Sequence, residues 1–231
     1  NILPPVPIKA DLRAAQIHAS ADLKRKFTIA NCIVQAKVVR SLQVLDWLVQ
    51  RYEIEREVEL AKQETLQLRQ VCSVPELRTI EGRVALRYWQ AFTSVMPRSL
   101  GFHGRMTSTR PSNASDPVNA ALNYAYGVLE GECRRAINAV GLEPSVGFLH
   151  EFADYRTKQS LVYDLQEPFR WIPDVTVVEA FESGTLSLQD FYFTGDDYRY
   201  RIETEPKRLF LDLLKERFNA GVKYGGHVMK W

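Results

Sequence analysis

The sequence predicts a mainly α-helical fold carrying one small β-hairpin. Three observations predict it. From Asp11 to Gln70 there is no proline and no glycine, and apolar residues return at helical spacing through Ile29, Ile33, Ala36, Val39, Leu42, Leu45 and Leu48. Later segments keep that spacing between recognisable helix starts and stops. One stretch alone, FYFTGDDYRYRI, sets aromatic-rich arms around Gly195-Asp196-Asp197 and reads as a hairpin.

Taken in order, NILPPVPI is proline-rich and predicts an extended linker over residues 1–10, ahead of one helical domain over 11–231. Residues 11–70 predict two or three helices meeting near Tyr52, with charges of alternating sign from Arg51 to Arg69. Pro75 beside Glu76 marks the first turn of the next helix, which runs to Val95. Residues 97–115 hold Gly101, Gly104, Pro111 and a run of Ser, Thr and Asn, and predict a loop. Asp116 is an N-cap with Pro117 at the first helical position, and Gly141 closes that helix. A short connection from Pro144 to His150 follows. Leu161, Leu165 and Phe169 predict one face of a helix over Ser160–Arg170, its end blurred by Pro168. Pro173–Glu182 predicts one or two apolar helical turns, and Pro206–Ala220 a final helix.

Composition bounds the function. With 45% hydrophobic and 25% charged residues, the chain is globular rather than disordered. Thirty basic against 28 acidic residues leave a net charge of +2, so any nucleic-acid contact needs a local basic patch. No apolar run is long enough to span a bilayer, and the given sequence does not open on a basic segment, an apolar segment and a small-residue cleavage site. Cys32, Cys72 and Cys133 are odd in number and far apart, which argues against a disulfide framework or zinc site and for a reducing compartment. Beginning at Asn1 and ending at Trp231 inside a periodic segment, the chain reads as a fragment of a longer polypeptide.

No phosphate-binding loop, nucleophile elbow, HExxH or dinucleotide fingerprint is present. The informative pair is Asp164 and Glu167. Three apart on a helix, they share a face and repel unless a cation lies between them. Such a pair is usually a solvated acidic face. Here Leu161, Val162, Leu165 and Phe169 surround it, so the acids are expected to be paired or to bind metal. His150 ends the apolar turn SVGFLH; alone it reads as a core histidine, and beside converging carboxylates as a ligand. Glu81 alone reads as a surface acid. Gly82 after it is unusual inside a helix, where glycine costs roughly 1 kcal/mol against alanine, and is expected to admit a close backbone or ligand. Oxygen donors suit Mg²⁺, and one added imidazole favours Mn²⁺ or another transition ion.

Four blocks, IEGRVALRYW, DPVNAALNYAYGVL, GLEPSVGFLH and SLVYDLQEPFR, occur in this order and together resemble the CRISPR-associated spacer-acquisition integrases, the Cas-one family. The resemblance covers Pro75 to Glu182. It extends to Asp11–Lys62, where IANCIVQAKVVRSLQVL is similar to the family's long helix, and to ERFNAGVKYGGHVMKW. It implies a mainly β N-terminal domain followed by a helical catalytic domain, of which the helical domain alone is present here. It also implies that Glu81, His150 and Glu167 bind Mg²⁺ or Mn²⁺, with Asp164 as a supporting acid or alternative ligand. The family commonly carries Asp where this chain has Glu167, whose extra methylene bears on metal geometry. Tyr126 matches a tyrosine near the reacting phosphate, set against a plain core role, and Asn119 and Asn123 lie four apart on the same helix face.

The implied activity is metal-dependent DNA cleavage and strand transfer by phosphodiester transesterification. The implied setting is a prokaryotic cytoplasm and antiviral defence. The implied partners are double-stranded DNA, a second copy of the chain and a small Cas-two subunit, with no membrane. DNA contacts are expected from Arg98, Arg105 and Arg110, a loop set without a nearby acid, and from Arg156, Lys158 and Lys223. Lys24-Arg25-Lys26 and Arg134-Arg135 are further clusters, each of which also reads as a solvated face. The rival readings are a non-catalytic helical DNA-binding or assembly scaffold, and a transposon-borne integrase of the same fold.

Overall fold

Asp22 breaks the first long periodic stretch. Its carboxylate accepts from the backbone amides of Lys24 and Arg25 at 2.9 and 3.1 Å, and this N-cap separates α1 (Ala10–Ala21) from α2 (Leu23–Val49). The computed structural model describes residues 10–105, 114–150, 159–195 and 199–220, and the backbone of 222–224 and 227–229. Residues 1–9 of the linker expected over 1–10 lie outside the described residues, and Ala10 already belongs to α1.

A turn around Arg51–Glu53 separates α2 from α3 (Glu55–Thr65), which places the expected junction near Tyr52. A 3₁₀ turn, Leu66–Gln70, leads to α4 (Val74–Val95). Ser73 Oγ accepts from the Glu76 amide and Glu76 accepts from the Cys72 amide, so the helix start read from Pro75 and Glu76 is tied from both sides. The helix α5 (Pro117–Val140) begins where the Asp116 carboxylate accepts from the Asn119 amide at 2.8 Å, and it ends at Gly141 with φ +81°. Then come α6 (Ser160–Gln166), a 3₁₀ turn at Glu167–Phe169, and α7 (Trp171–Glu182). α7 is twelve residues, longer than the one or two turns expected; Pro173 sits in its first turn, where its missing amide removes no helical bond. β1 (Phe191–Thr194) pairs antiparallel with β2 (Arg199–Ile202), Phe191 opposite Ile202, and α8 (Thr204–Asn219) follows.

The fold class is mainly α, as the periodicity predicts. A second hairpin, β3 (Val222–Tyr224) with β4 (His227–Met229), was not expected; its arms are three residues each, too short to show alternation. Among the described residues no helix is long and apolar enough to cross a membrane.

The chain divides into two compact units, Asn1–Tyr88 with Val128–Phe169 and Trp89–Gly127 with Arg170–Trp231. In the first, α2 is the spine, packing against α1, α3, α6 and the 167–169 turn. Its buried stripe is Ala30, Val34, Val38, Val44, Leu45 and Leu48. That stripe is one position out of phase with the expected one in the first half of the helix, and Val39 is 50% exposed. The doublets Ile29-Ala30, Ile33-Val34 and Val38-Val39 are apolar on both members, so periodicity alone does not fix the phase. In the second unit, α7 packs on α8, and an ion pair between Arg217 and Glu179 joins them. α7 is buried nearly all round, through Ile172, Val175, Val177, Val178 and Ala180.

Candidate active site

The site of the first unit is built on a pinned loop. Gln16 of α1 is buried; its amide nitrogen donates to the carbonyls of Glu143 and Val146 at 2.9 and 2.7 Å, and its oxygen accepts from the Glu143 amide at 2.8 Å. Arg13 donates to the Gly141 carbonyl at 3.0 Å. The connection between α5 and α6 is thereby fastened to α1. Its far end is fastened by Asp164, which is 0% exposed. The amides of Phe148, Leu149 and His150 donate to the Asp164 carboxylate at 2.5, 3.0 and 2.9 Å. A carboxylate with three backbone donors needs no surface, which explains an acid in an apolar helix.

Gly147 lets that approach happen. A Cβ there would stand 2.7 Å from Ser160 Cβ and 2.9 Å from both the Ser160 carbonyl carbon and an Asp164 oxygen. Gly82, the glycine expected to admit a close neighbour, has nothing within 4 Å of its Cβ position. The close approach is at 147, one helix-start away from the acid, because the loop there must run against α6.

His150 Nδ1 lies 2.8 Å from Asp164 Oδ1, and Nε2 lies 3.8 Å from Glu167 Oε1. A carboxylate only accepts, so an Nδ1–H donates to Asp164, and the Nε2 edge of the ring is turned to Glu167. Glu167 is the last cap of α6 and only 3% exposed. The side chain that meets it is Lys37 from the middle of α2, whose Nζ is 2.5 Å from Glu167 Oε2 and also bonds Glu81 of α4. The structure thus brings Glu81, His150, Glu167 and Asp164 into one cluster, joined by Lys37. A cavity of about 450 Å³ borders it, lined by Pro75, Arg78, Thr79, Glu81, Leu149 and His150.

One expectation about this region changes. The apolar face read from Leu161, Leu165 and Phe169 is not the most buried one: Leu165 and Phe169 are half-buried, while Asp164 and Glu167 are fully inside. Among the described residues, no three carboxylate, imidazole or thiol donors close around a common point at metal-ligand distance. The reason is local, since the Lys37 ammonium stands between Glu81 and Glu167 and the His150 ring is drawn to Asp164. The donor set itself, two carboxylates and one imidazole nitrogen with its other nitrogen held, fits a Mg²⁺ or Mn²⁺ ion. Lys37 is the residue that sequence reasoning missed. Its signal was a single lysine between Ala36 and Val38 in an apolar stretch.

Tyr126 belongs to the second unit. Its hydroxyl donates to Asp174 at 2.5 Å, and the guanidinium groups of Arg105 and Arg170 lie 5.2 and 5.1 Å from its ring centre. Burial first, then the Asp174 charge, holds the phenol well above its usual titration range. Arg105 also donates to Asn119 Oδ1 at 3.0 Å, and Asn119 donates to Asp116 and to the Gly104 carbonyl. Asn123 lines a cavity of about 370 Å³ with Tyr124, Tyr200 and Lys207. Arg98 is exposed in the Arg98–Leu100 turn. Arg110, Arg156 and Lys158 lie outside the described residues, as does the side chain of Lys223. Arg134 and Arg135 pair with Glu130 and Glu132 of their own helix, the solvated-face arrangement. Lys24 and Arg25 are exposed. The three cysteines are free thiols, Cys32 and Cys72 exposed and Cys133 buried.

Residues 1–216 match the family model described as CRISPR associated protein Cas1. The chain belongs to the Cas1 family. A CRISPR-associated endonuclease Cas1 of Methanospirillum hungatei is 31% identical over 95% of this chain and 65% of its own length. A solved casposase bound to integration product superposes with a TM-score of 0.84 at 36% identity, over 100% of this chain and 63% of that one. A Cas6-RT-Cas1–Cas2 complex shares the fold, with a TM-score of 0.82 at 20% identity over 94% of this chain and 24% of that one. The chain therefore spans somewhat less than two thirds of the length of the first two of these proteins, and about a quarter of the third.

Proposed function

We propose that this chain carries the active site of a Cas1-family DNA endonuclease and integrase, which joins DNA ends into a CRISPR array by transesterification. The observation that carries the proposal is the meeting of Glu81 and Glu167 on one cation, with His150 Nε2 beside Glu167, in a chain of this family. Glu81, Glu167 and His150 would hold a Mg²⁺ or Mn²⁺ ion. Such an ion lowers the pKa of an attacking hydroxyl and offsets charge developing on phosphoryl oxygens.

The chain's own residues do the positioning. Asp164 holds the His150 ring by its Nδ1 edge and the loop by three amides, so the imidazole is set before any ligand arrives. The cavity beside Glu81 and His150 gives a phosphodiester access, with Arg78 at its wall as a phosphate contact. In the reaction a 3′-hydroxyl oxygen bonds to phosphorus, the bond to another 3′-oxygen breaks, and that oxygen leaves with a proton. Water in place of the hydroxyl gives cleavage. Arg98, Arg105, Arg110, Arg156 and Lys158 are proposed to bind the DNA backbone. Partners follow the same reading: double-stranded DNA, a second copy, and a small Cas2 subunit such as the one named in the Cas1–Cas2 complex, in a prokaryotic cytoplasm.

The test pairs a strand-transfer assay with a gel-shift salt titration. Glu167→Ala and Glu81→Ala are expected to abolish Mn²⁺-dependent cleavage and strand transfer and leave salt-dependent DNA binding nearly intact, since phosphate contacts do not use the acids. Full strand transfer by Glu167→Ala would overturn the assignment in favour of a scaffold. The 36% identity to casposase along the whole chain favours a second reading, a transposon-borne integrase with the same chemistry. Strand transfer that depends on an added Cas2 subunit supports the first reading; transfer without one supports the second.

A further inference from the structure

Lys37 rises from α2 beside Val38, which is 4% exposed, and its own side chain is 16% exposed. The ammonium therefore lies mostly inside the cleft, against its acid partners. It bonds Glu81 and lies 2.5 Å from Glu167, two acids from different helices. One positive charge faces two negative ones, so the three groups together remain net negative. A divalent ion held by both carboxylates needs the place that the ammonium fills. Two cations in one half-buried cleft repel, and the flexible four-carbon stem of lysine allows the ammonium to swing away.

Resting on the metal-site reading above, we propose that Lys37 is the displaceable counter-ion of this site. It holds Glu81 and Glu167 together before metal binds, and the metal enters by taking its place. Without it the two acids would repel across the cleft; with it, the site stays assembled but its metal affinity is lowered. Lys37 is thus a positioning residue that sets metal affinity, not a ligand.

Mn²⁺ binding to the 231-residue chain, read from loss of the free-ion electron paramagnetic resonance signal, tests this. Lys37→Met keeps the stem and removes the charge. It is expected to bind Mn²⁺ about tenfold more tightly, the scale on which a neighbouring side chain shifts a metal site, and to melt at a lower temperature than the parent when metal is absent. Unchanged or weaker Mn²⁺ binding by Lys37→Met overturns the proposal. The metal-site reading survives that result if Glu81→Gln still abolishes Mn²⁺ binding by the parent. A parent that binds no Mn²⁺ overturns both. Should Lys37→Met fail to fold, pulsed acetylation of the unmutated chain with mass spectrometry decides. Adding Mn²⁺ is expected to raise Lys37 acetylation severalfold as the ammonium is released, and unchanged acetylation in Mn²⁺-bound chain overturns the proposal.

Discussion

The two units each bury a polar cluster, and the clusters differ in charge balance and in access. In the first, among the described residues, the carboxylates of Glu81, Asp164 and Glu167 meet the Lys37 ammonium and the His150 imidazole, and His150 and Glu81 keep 32% and 21% of their side chains exposed beside a cavity. In the second, Asp116 and Asp174 are matched by Arg105 and Arg170 around Tyr126 and Asn119, and both acids are buried. A cluster with as many guanidinium groups as acids has no surplus negative charge to offer a metal ion, and its half-buried Arg105 keeps a side toward a phosphate. An acid-rich cluster with an open side keeps the capacity to take another cation. The difference teaches that burial of polar groups alone does not make room for a cation; surplus negative charge with access does.

The largest expected effect tests whether the first cluster is also a structural anchor. Asp164→Ala leaves two buried amides, the half-buried His150 amide and the His150 ring without their acceptor, and is expected to cost about 3–5 kcal/mol in urea denaturation. A loss under about 1 kcal/mol would mean that water replaces the carboxylate and the loop is held elsewhere. Next is Tyr126→Phe in the second cluster, which removes a hydroxyl donor to a buried carboxylate and is expected to cost about 2 kcal/mol. Mn²⁺ affinity and strand transfer should stay at parent levels. Lost strand transfer at an unchanged melting profile would make Tyr126 part of the reaction and break the contrast.

A pair of glycines sharpens it further. Gly147→Ala pushes a Cβ against Ser160 backbone and is expected to cost about 1–3 kcal/mol, while Gly82→Ala fills open space on a helix and should stabilise by about 0.5–1 kcal/mol. Opposite signs in thermal melts support the loop-on-helix packing at the site; equal signs refute it. An effect confined to alkaline pH, and absent at neutral pH, lies in the core of the first unit. Burial pushes the Cys133 thiol up from 9.0 to about 12, helped by Glu130. The folded chain therefore keeps its proton while the unfolded chain loses it. That stability is fully present below pH 9 and drains away toward pH 12, by at most about 1.4 kcal/mol per pH unit. Cys133→Ala should flatten this limb of a stability-against-pH curve.

The sequence by itself determined the helical class and the helix ends that carry short-range chemistry. Glu76 and Pro75 marked the start of α4, Asp116 and Pro117 that of α5, and Gly141 its end, because caps act within three or four residues. It also determined that Asp164 and Glu167 needed partners, since adjacent acids in an apolar segment cannot stand alone. Tertiary structure decided who the partners are. Lys37 and Glu81 are 44 residues apart, and no local pattern encodes a pairing at that distance. It also decided the phase of the α2 stripe, where apolar doublets left two faces equally good, and it chose Gly147 over Gly82 as the close-contact glycine. These are outcomes of packing whole helices against one another, where a shift of one position changes which side chains meet.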